Sequence, residues 1–189
     1  MDISLDNMNV EYHNIESNVK FMLEVNNMTK WRLWPDKTHI HWGSISSPPT
    51  FILSGEKGAI SGHNTVGDYD GHYATGATGV VSWKIGDTGK KLAIMYTLPY
   101  RFEKLKNKMS IAIVDESQKI NQKFCQRMIT DTKLATLKVF YDEIKPIDVK
   151  SDKFHVIGTM GTSHRCEIKI VFMPAEEQDY GPQYLGIGS

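Results

Sequence analysis

A chain of 189 residues with 40% hydrophobic and 23% charged residues can bury a full core as one domain, without disulfide or metal staples. Lysine plus arginine and aspartate plus glutamate both number 22, so no net field directs it to nucleic acid or to an acidic partner. No apolar run approaches the roughly 18 residues of a membrane helix. Two cysteines, Cys125 and Cys166, make no disulfide framework; they read as buried free thiols, with a single bridge as the alternative.

Residues 2–18 admit two readings. Leu5, Met8, Tyr12, Ile15 and Val19 recur at spacings of 3, 4, 3 and 4, which aligns them on one face of an amphipathic helix. Asp2, Asp6, Asn9, His13 and Glu16 would share the other face, with Asp2 favourable at the positive end of the helix dipole. Met8, Val10 and Tyr12 could instead form one face of a strand; the helix is the preferred reading. From Val19 the texture is β. VKFMLEV is a strand, Asn26-Asn27 a turn, KWRLW a second strand ended by Pro35-Asp36, and Thr38 to Trp42 a third. GSISSPP is a loop, Phe51 to Leu53 a short strand, and residues 55–71 a loop with room for one strand about Ala59-Ile60.

The most organised stretch runs from Tyr73 to Val114. Ala77 to Lys84 is an apolar, β-branched strand, and Gly86-Asp87-Thr88-Gly89 is a turn whose residues tolerate unusual dihedrals. Leu92 to Leu98 is the next strand, stopped at Pro99, which has no N–H for a ladder. FEKLKNKM, residues 102–109, reads as an exposed loop too charged for the core, and Ser110 to Val114 resumes the strand pattern. Ile120, Phe124, Met128 and Ile129 place a helix over residues 120–130. Leu134 to Tyr141, Phe154 to Ile157 and Glu167 to Met173 are the closing strands. The division expected is a helix over 1–18, a β-sandwich domain over 19–174 and a tail over 175–189. Many short strands without βα alternation indicate a mainly β fold, a sandwich or barrel.

Motifs for catalysis are missing: there is no HExxH, GxSxG, Walker loop or CxxC. His39 and His41 lie two apart on a strand and could share a metal, but a third ligand is not evident and solvated strand histidines are the plainer reading. Asp68 and Asp70 could bind calcium or simply form turns. Cys125 with His155 or His164 would be a nucleophile and base only if the fold joined them. The chain reads as a non-enzyme needing no cofactor and no metal.

One stretch carries a resemblance. ATGATGVVSW followed by GKKLAIMYTLPY resembles the central strand pair of the actinoporins, the pore-forming cytolysins of sea anemones and their relatives. VKFMLEVNNMTKW resembles the family's first strand and turn, and FHVIG with HRCEIKIVF its last hairpin, so the likeness covers about residues 3–173. It implies an actinoporin-like β-sandwich flanked by two short helices. It also implies a secreted, hemolytic toxin whose N-terminal helix, carrying Leu5, Met8, Tyr12 and Ile15, enters the target-cell membrane as part of a homo-oligomer. The first twenty residues carry no secretory signal, which leaves a cytosolic protein or a mature secreted form open. A helix of about 17 residues rises only about 25 Å, short of the roughly 30 Å hydrocarbon core, so a pore would need flanking residues or a thinned bilayer.

The resemblance further implies a lipid-headgroup site at Ser44, Thr78, Thr97 and Pro99, taking sphingomyelin-type phosphocholine. Beyond Pro99 the pattern departs. The family's aromatic loop becomes Lys104-Leu105-Lys106-Asn107-Lys108-Met109, and its tyrosine-bearing helix becomes Cys125 to Thr130, with no tyrosine. Lys104, Lys106 and Lys108 would share one face of an extended segment and attract phosphate or anionic lipid, at roughly 1 kcal/mol per charge near a membrane. Lys104, Leu105, Lys106, Lys108 and Met109 are therefore the expected membrane-contact loop; the plainer reading is a solvated lysine face. A second reading of the whole is a non-lytic, lectin-like module binding a glycan or a lipid headgroup, with Trp31, Trp34 and Trp42 as stacking faces. A third is an inhibitor or partner subunit of a lytic relative.

Overall fold

The computed structural model describes residues 12–13, 17–65, 75–101, 105–140 and 144–185, with 136–140 as backbone. The expectations on Leu5, Met8, Ile15, Asp68, Asp70 and Lys104 lie outside these residues.

The first strand, β1 (Lys20–Asn27), shows why a sandwich forms. Its side chains alternate, so Phe21, Leu23 and Val25 are buried while Met22 and Glu24 are half-exposed. It continues into β2 (Leu33–Trp42), β3 (Ser44–Ser47), β4 (Lys57–His63), β5 (Ala77–Ile85), β6 (Lys90–Leu98) and β7 (Asn107–Asp115). A helix, α1 (Gln122–Thr130), follows, then β8 (Thr136–Phe140), β9 (Ile147–Lys150), β10 (Phe154–Met160) and β11 (Arg165–Pro174). One sheet has the order β3-β4-β1-β11-β10-β9 and the other β2-β5-β6-β7-β8. Phe21, Leu23, Trp83, Ile94, Tyr96, Ile170 and Phe172 interdigitate between the sheets. β1 pairs with β11 in parallel, joining the two ends of the sandwich domain.

β5 and β6 are apolar on both faces because both are covered. Their inward residues meet the six-stranded sheet, while Val80, Ala93 and Met95 point outward beneath Phe124, Cys125 and Met128 of α1. The helix starts at Asn121, whose Oδ1 accepts the Phe124 N–H at 3.0 Å. Both cysteines are buried and free. Among the described residues no helix is long and apolar enough to cross a membrane.

Several expectations are corrected. Only Leu33-Trp34 of KWRLW is strand, and it runs on through Pro35 into Thr38–Trp42: β2 is an edge, so Pro35 forfeits no ladder bond on its free side, and a register shift between Pro35 and Thr38 absorbs it. The loop at Ser44–Ser47 is a strand, and the strand allowed about Ala59-Ile60 is present and longer, Lys57–His63. The full length of β4 is hidden because it needs glycines: a Cβ at Gly58 would sit 2.6 Å from the Ile52 side chain, and one at Gly62 2.6 Å from the Phe21 ring. FEKLKNKM is not all loop, since Asn107 to Met109 open β7, with Asn107 and Met109 fully buried. Residues 175–185 of the tail, left open in the sequence, are fastened to the sandwich. The Gly181 N–H donates to the Met28 carbonyl at 2.9 Å, and Gln183 Nε2 to the Ser54 carbonyl at 3.0 Å.

Candidate headgroup site

Residues paired directly across a ladder point to the same face of a sheet. Four such residues form a row at one end of the five-stranded sheet: Trp42 of β2, Thr78 of β5, Thr97 of β6 and Lys108 of β7. The neighbouring row, His39, Val80, Met95 and Ser110, lies under α1, where Ser110 Oγ donates to the Met128 carbonyl at 2.8 Å. Thr97 Oγ1 lies 3.6 Å from Met95 Sδ, which puts the hydroxyl on that same outer face. The row therefore begins where the helix ends and stays open. Trp42 is 50% exposed, and Thr78, Thr97 and Lys108 are half-buried. Strands lie about 4.8 Å apart, so the two hydroxyls are neighbours, with an indole on one side and an ammonium on the other. His41 packs edge-on against Trp42, with ring centroids 5.0 Å apart.

The sequence-derived site residues divide. Thr78 and Thr97 are side by side in register. Ser44 belongs to the other sheet, where it is exposed and pairs with His63. Gly43 carries the chain between the sheets with a φ of 86°, and a Cβ there would fall 2.4 Å from the His63 carbonyl oxygen, so only glycine fits. Pro99 is buried against the Gly76 backbone, where a Cβ would come within 3.0 Å of its Cα; it shapes the strand end instead of presenting a face to a ligand. Met109 also leaves the set, because it is core and unavailable as a membrane contact. Leu105 is exposed and Lys106 half-buried, whereas Lys108 belongs to the threonine row and not to a loop tip. The residue pattern marks Trp42 only as a sugar-stacking face; the bulge before it, which hides its register with Thr78, is not visible there.

A second row crosses the outer face of the six-stranded sheet at the same end: Ser44, His63, Lys20 and Arg165. Here Tyr12 and His13 of the chain lie on top. Tyr12 is buried, and the buried Lys20 Nζ donates to the Tyr12 carbonyl at 2.7 Å and the His13 carbonyl at 3.3 Å. It also stands 4.7 Å from the centre of the Tyr12 ring. Burial, then the Arg165 charge, lowers the Lys20 pKa. Asn64 fastens the joint: its Oδ1 accepts the Ser17 hydroxyl, and its N–H donates to the Val19 carbonyl at 2.9 Å.

The catalytic alternatives do not assemble. Burial pushes the Cys166 thiol up to about 12 and raises Cys125 as well, so neither is a ready thiolate. His155 Nε2 is 2.8 Å from Asp148, and the His164 ring N–H donates to the Tyr100 carbonyl at 3.1 Å; neither histidine meets Cys125 through these bonds. Burial, then His41, lowers the His39 pKa. Among the described residues no three histidine, cysteine or acidic side chains cluster as a metal site. Of the three tryptophans considered as stacking faces, Trp31 packs edge-on against Phe154, while Trp34 is exposed beside Phe51 and Trp42 heads the threonine row.

Two sheets, an outer helix and a polar row at the helix end define an actinoporin-like β-sandwich. A solved structure described as the lipid-binding protein Nakanori shares the fold, with a TM-score of 0.66 over 90% of this chain and 81% of that one, at 10% sequence identity. In sequence the chain is similar to Tereporin-Ca1 of Terebra anilis, 25% identical over 166 residues, which is 82% of this chain and 84% of the relative. It is likewise 25% identical over 173 residues to Conoporin-Cn1 of Conus consors, covering 88% of this chain and 68% of that protein. Echotoxin-2 of Monoplex parthenopeus matches at 22% over 119 residues, 59% of this chain and 43% of its own length. No family profile matches the chain. The actinoporin-like resemblance carried by the central hairpin is borne out by these relatives.

Proposed function

We propose that this protein is a secreted, non-catalytic, membrane-binding cytolysin of the actinoporin-like kind. It would grip lipid headgroups with the loop end of its sandwich, assemble on the membrane as a homo-oligomer and insert its N-terminal segment. The observation that carries the reading is the open row Trp42–Thr78–Thr97–Lys108. An indole face attracts a quaternary ammonium by about 0.5–2 kcal/mol, which offsets part of the loss of aromatic residues elsewhere. The adjacent hydroxyls donate to phosphate oxygens, and Lys108 supplies a positive charge beside them. A zwitterionic headgroup such as phosphocholine thus finds a partner for each of its charges along one row. Leu105 and Lys106, just before the Lys108 end of the row, would meet the bilayer first, and Lys104, which precedes them in sequence, would add its charge. Ser44, around the Gly43 corner, serves as an outer polar contact. Leu5, Met8, Tyr12 and Ile15 would form the apolar face of the inserting helix, and the Lys20 bonds to Tyr12 and His13 are what insertion must break.

Flotation and dye leakage, read in the same vesicles of sphingomyelin, phosphatidylcholine or phosphatidylserine mixtures, test this. Binding with leakage is expected, and intact vesicles across the panel would sink the lytic reading. The exposed Trp34–Phe51 pair, with ring centroids 6.1 Å apart, favours a second reading, a non-lytic glycan- or headgroup-binding module. A glycan-array signal with intact vesicles would select it.

A further inference from the structure

A second basic site lies outside the threonine row. An open cleft is lined by Asn18, Tyr100, Arg101, Ser163, His164 and Arg165, where the end of β6, the β10–β11 turn and the start of β1 converge. Its walls are held in place. Asn107, fully buried, donates from Nδ2 to the Gly161 carbonyl at 2.7 Å and the Ser163 carbonyl at 3.0 Å, tying the turn to β7. The His164 ring bonds the Tyr100 carbonyl across the cleft, and Ser163 Oγ donates to the Arg165 carbonyl at 2.6 Å. Arg101 and Arg165 are both exposed, and among the described residues neither guanidinium pairs with a carboxylate. Glu167, two residues along β11, is engaged by Lys169 at 3.2 Å. The buried Lys20 ammonium stands in register with Arg165 and adds to the positive field.

We propose that this cleft is an anion site that takes a phosphate monoester or diester through Arg101 and Arg165. Guanidinium forks match the planar spacing of phosphate oxygens and stay charged at any working pH. The Asn18 amide is a neutral donor at the rim, and Tyr100 gives an aromatic wall. Because Asn18 follows the Ser17 joint, a bound phosphate would bridge the base of the N-terminal segment to two turns of the sandwich.

Isothermal titration at low ionic strength with inorganic phosphate and glycerol 3-phosphate tests the site on the whole chain. Saturable binding is expected, weakened by about tenfold or more in Arg101→Gln/Arg165→Gln. Lys153→Gln, an exposed change in the turn at the opposite end of β10, should leave it unchanged. Both arginines are exposed, so thermal melts should match the parent and loss of binding will not reflect unfolding. Flotation on phosphatidylcholine vesicles with and without phosphatidic acid separates the sources: a double-variant defect on the acidic vesicles assigns a lipid headgroup, and a defect on soluble phosphate alone assigns a free phosphate. Only the lipid arm rests on the membrane reading. A chain that ignores all vesicles yet binds phosphate through these arginines sinks that reading and keeps the cleft. Undiminished binding by the double variant, or none by the parent, overturns the proposal.

Discussion

Among the described residues each sheet buries one lysine, and the two lysines do different work. Lys91 at the start of β6 and Lys20 at the start of β1 are 3% and 4% exposed, at opposite ends of the sandwich. Lys91 Nζ lies 2.6 Å from the Asp36 carboxylate and donates to the Gln118 carbonyl at 3.0 Å. Asp36 sits in the β2 bulge, where Ser82 Oγ donates to the next carbonyl, that of Lys37, at 2.9 Å. That charge pair is built from the sandwich itself. The described partners of Lys20 are instead two carbonyls of the N-terminal segment. A buried ammonium tolerates either partner, but only the first is part of the sheets. Disrupting Lys91 should damage the fold, and disrupting Lys20 should damage an attachment.

The largest expected effect is at Lys91. Lys91→Met leaves the Asp36 carboxylate buried without its counter-charge and should cost about 3–5 kcal/mol of unfolding free energy in urea. The paired change Lys91→Met/Asp36→Leu should recover most of that. A cost below about 1 kcal/mol for the single variant would mean that the pair is not structural. The same pair sets an acid limb. Burial alone would raise the Asp36 carboxyl, but the hydrogen bond and charge of Lys91 outweigh it and hold the group below its usual range. The unfolded chain then binds protons first as pH falls. The contribution is present above about pH 4 and is lost as pH drops through the folded value. Urea midpoints taken at decreasing pH should show this loss, and Asp36→Asn should flatten it.

Lys20→Met comes next, removing charged hydrogen bonds worth about 1.5–3 kcal/mol each. Its effect should be local: chymotryptic cleavage after Tyr12, now buried, should speed up by roughly tenfold while the sheet signal in circular dichroism holds. Equal protection in parent and variant would break the contrast between the two lysines. The smallest stability effects belong to the open row. Thr78→Val/Thr97→Val should move the urea midpoint by about 0.5 kcal/mol or less, since both side chains are half-exposed. Vesicle binding by that variant should fall, as should binding by Trp42→Ala, whose lost cation–π contact is worth about 0.5–2 kcal/mol. Normal vesicle binding by both variants would remove the row from the site.

The sequence by itself determined the elements whose signals are local. The β5–β6 hairpin follows from two apolar runs and the Gly86–Gly89 turn, and its register already sets Thr78 opposite Thr97. The helix after β7 follows from its apolar spacing, and the actinoporin-like fold from the central motif. Only the tertiary structure decided the rest, because burial and long-range pairing depend on what arrives from elsewhere in the chain. Gly58 and Gly62 hide the full length of β4 around Ala59-Ile60 until Ile52 and Phe21 occupy the space a side chain would need. Met109 reads as a loop residue beside three lysines, yet it is core because β7 pairs from Asn107 onward. Pro99 is sealed by Gly76, and Ser44 is turned onto the other sheet by Gly43. Lys20, a charged residue at the start of a strand, is buried where the Tyr12 and His13 carbonyls meet its ammonium. A lysine and a tryptophan at one end of this sandwich have exchanged their usual places, Lys20 covered and Trp42 open. The reason is what lies above each sheet: a chain segment over one row, and nothing beyond the end of the helix over the other, among the described residues.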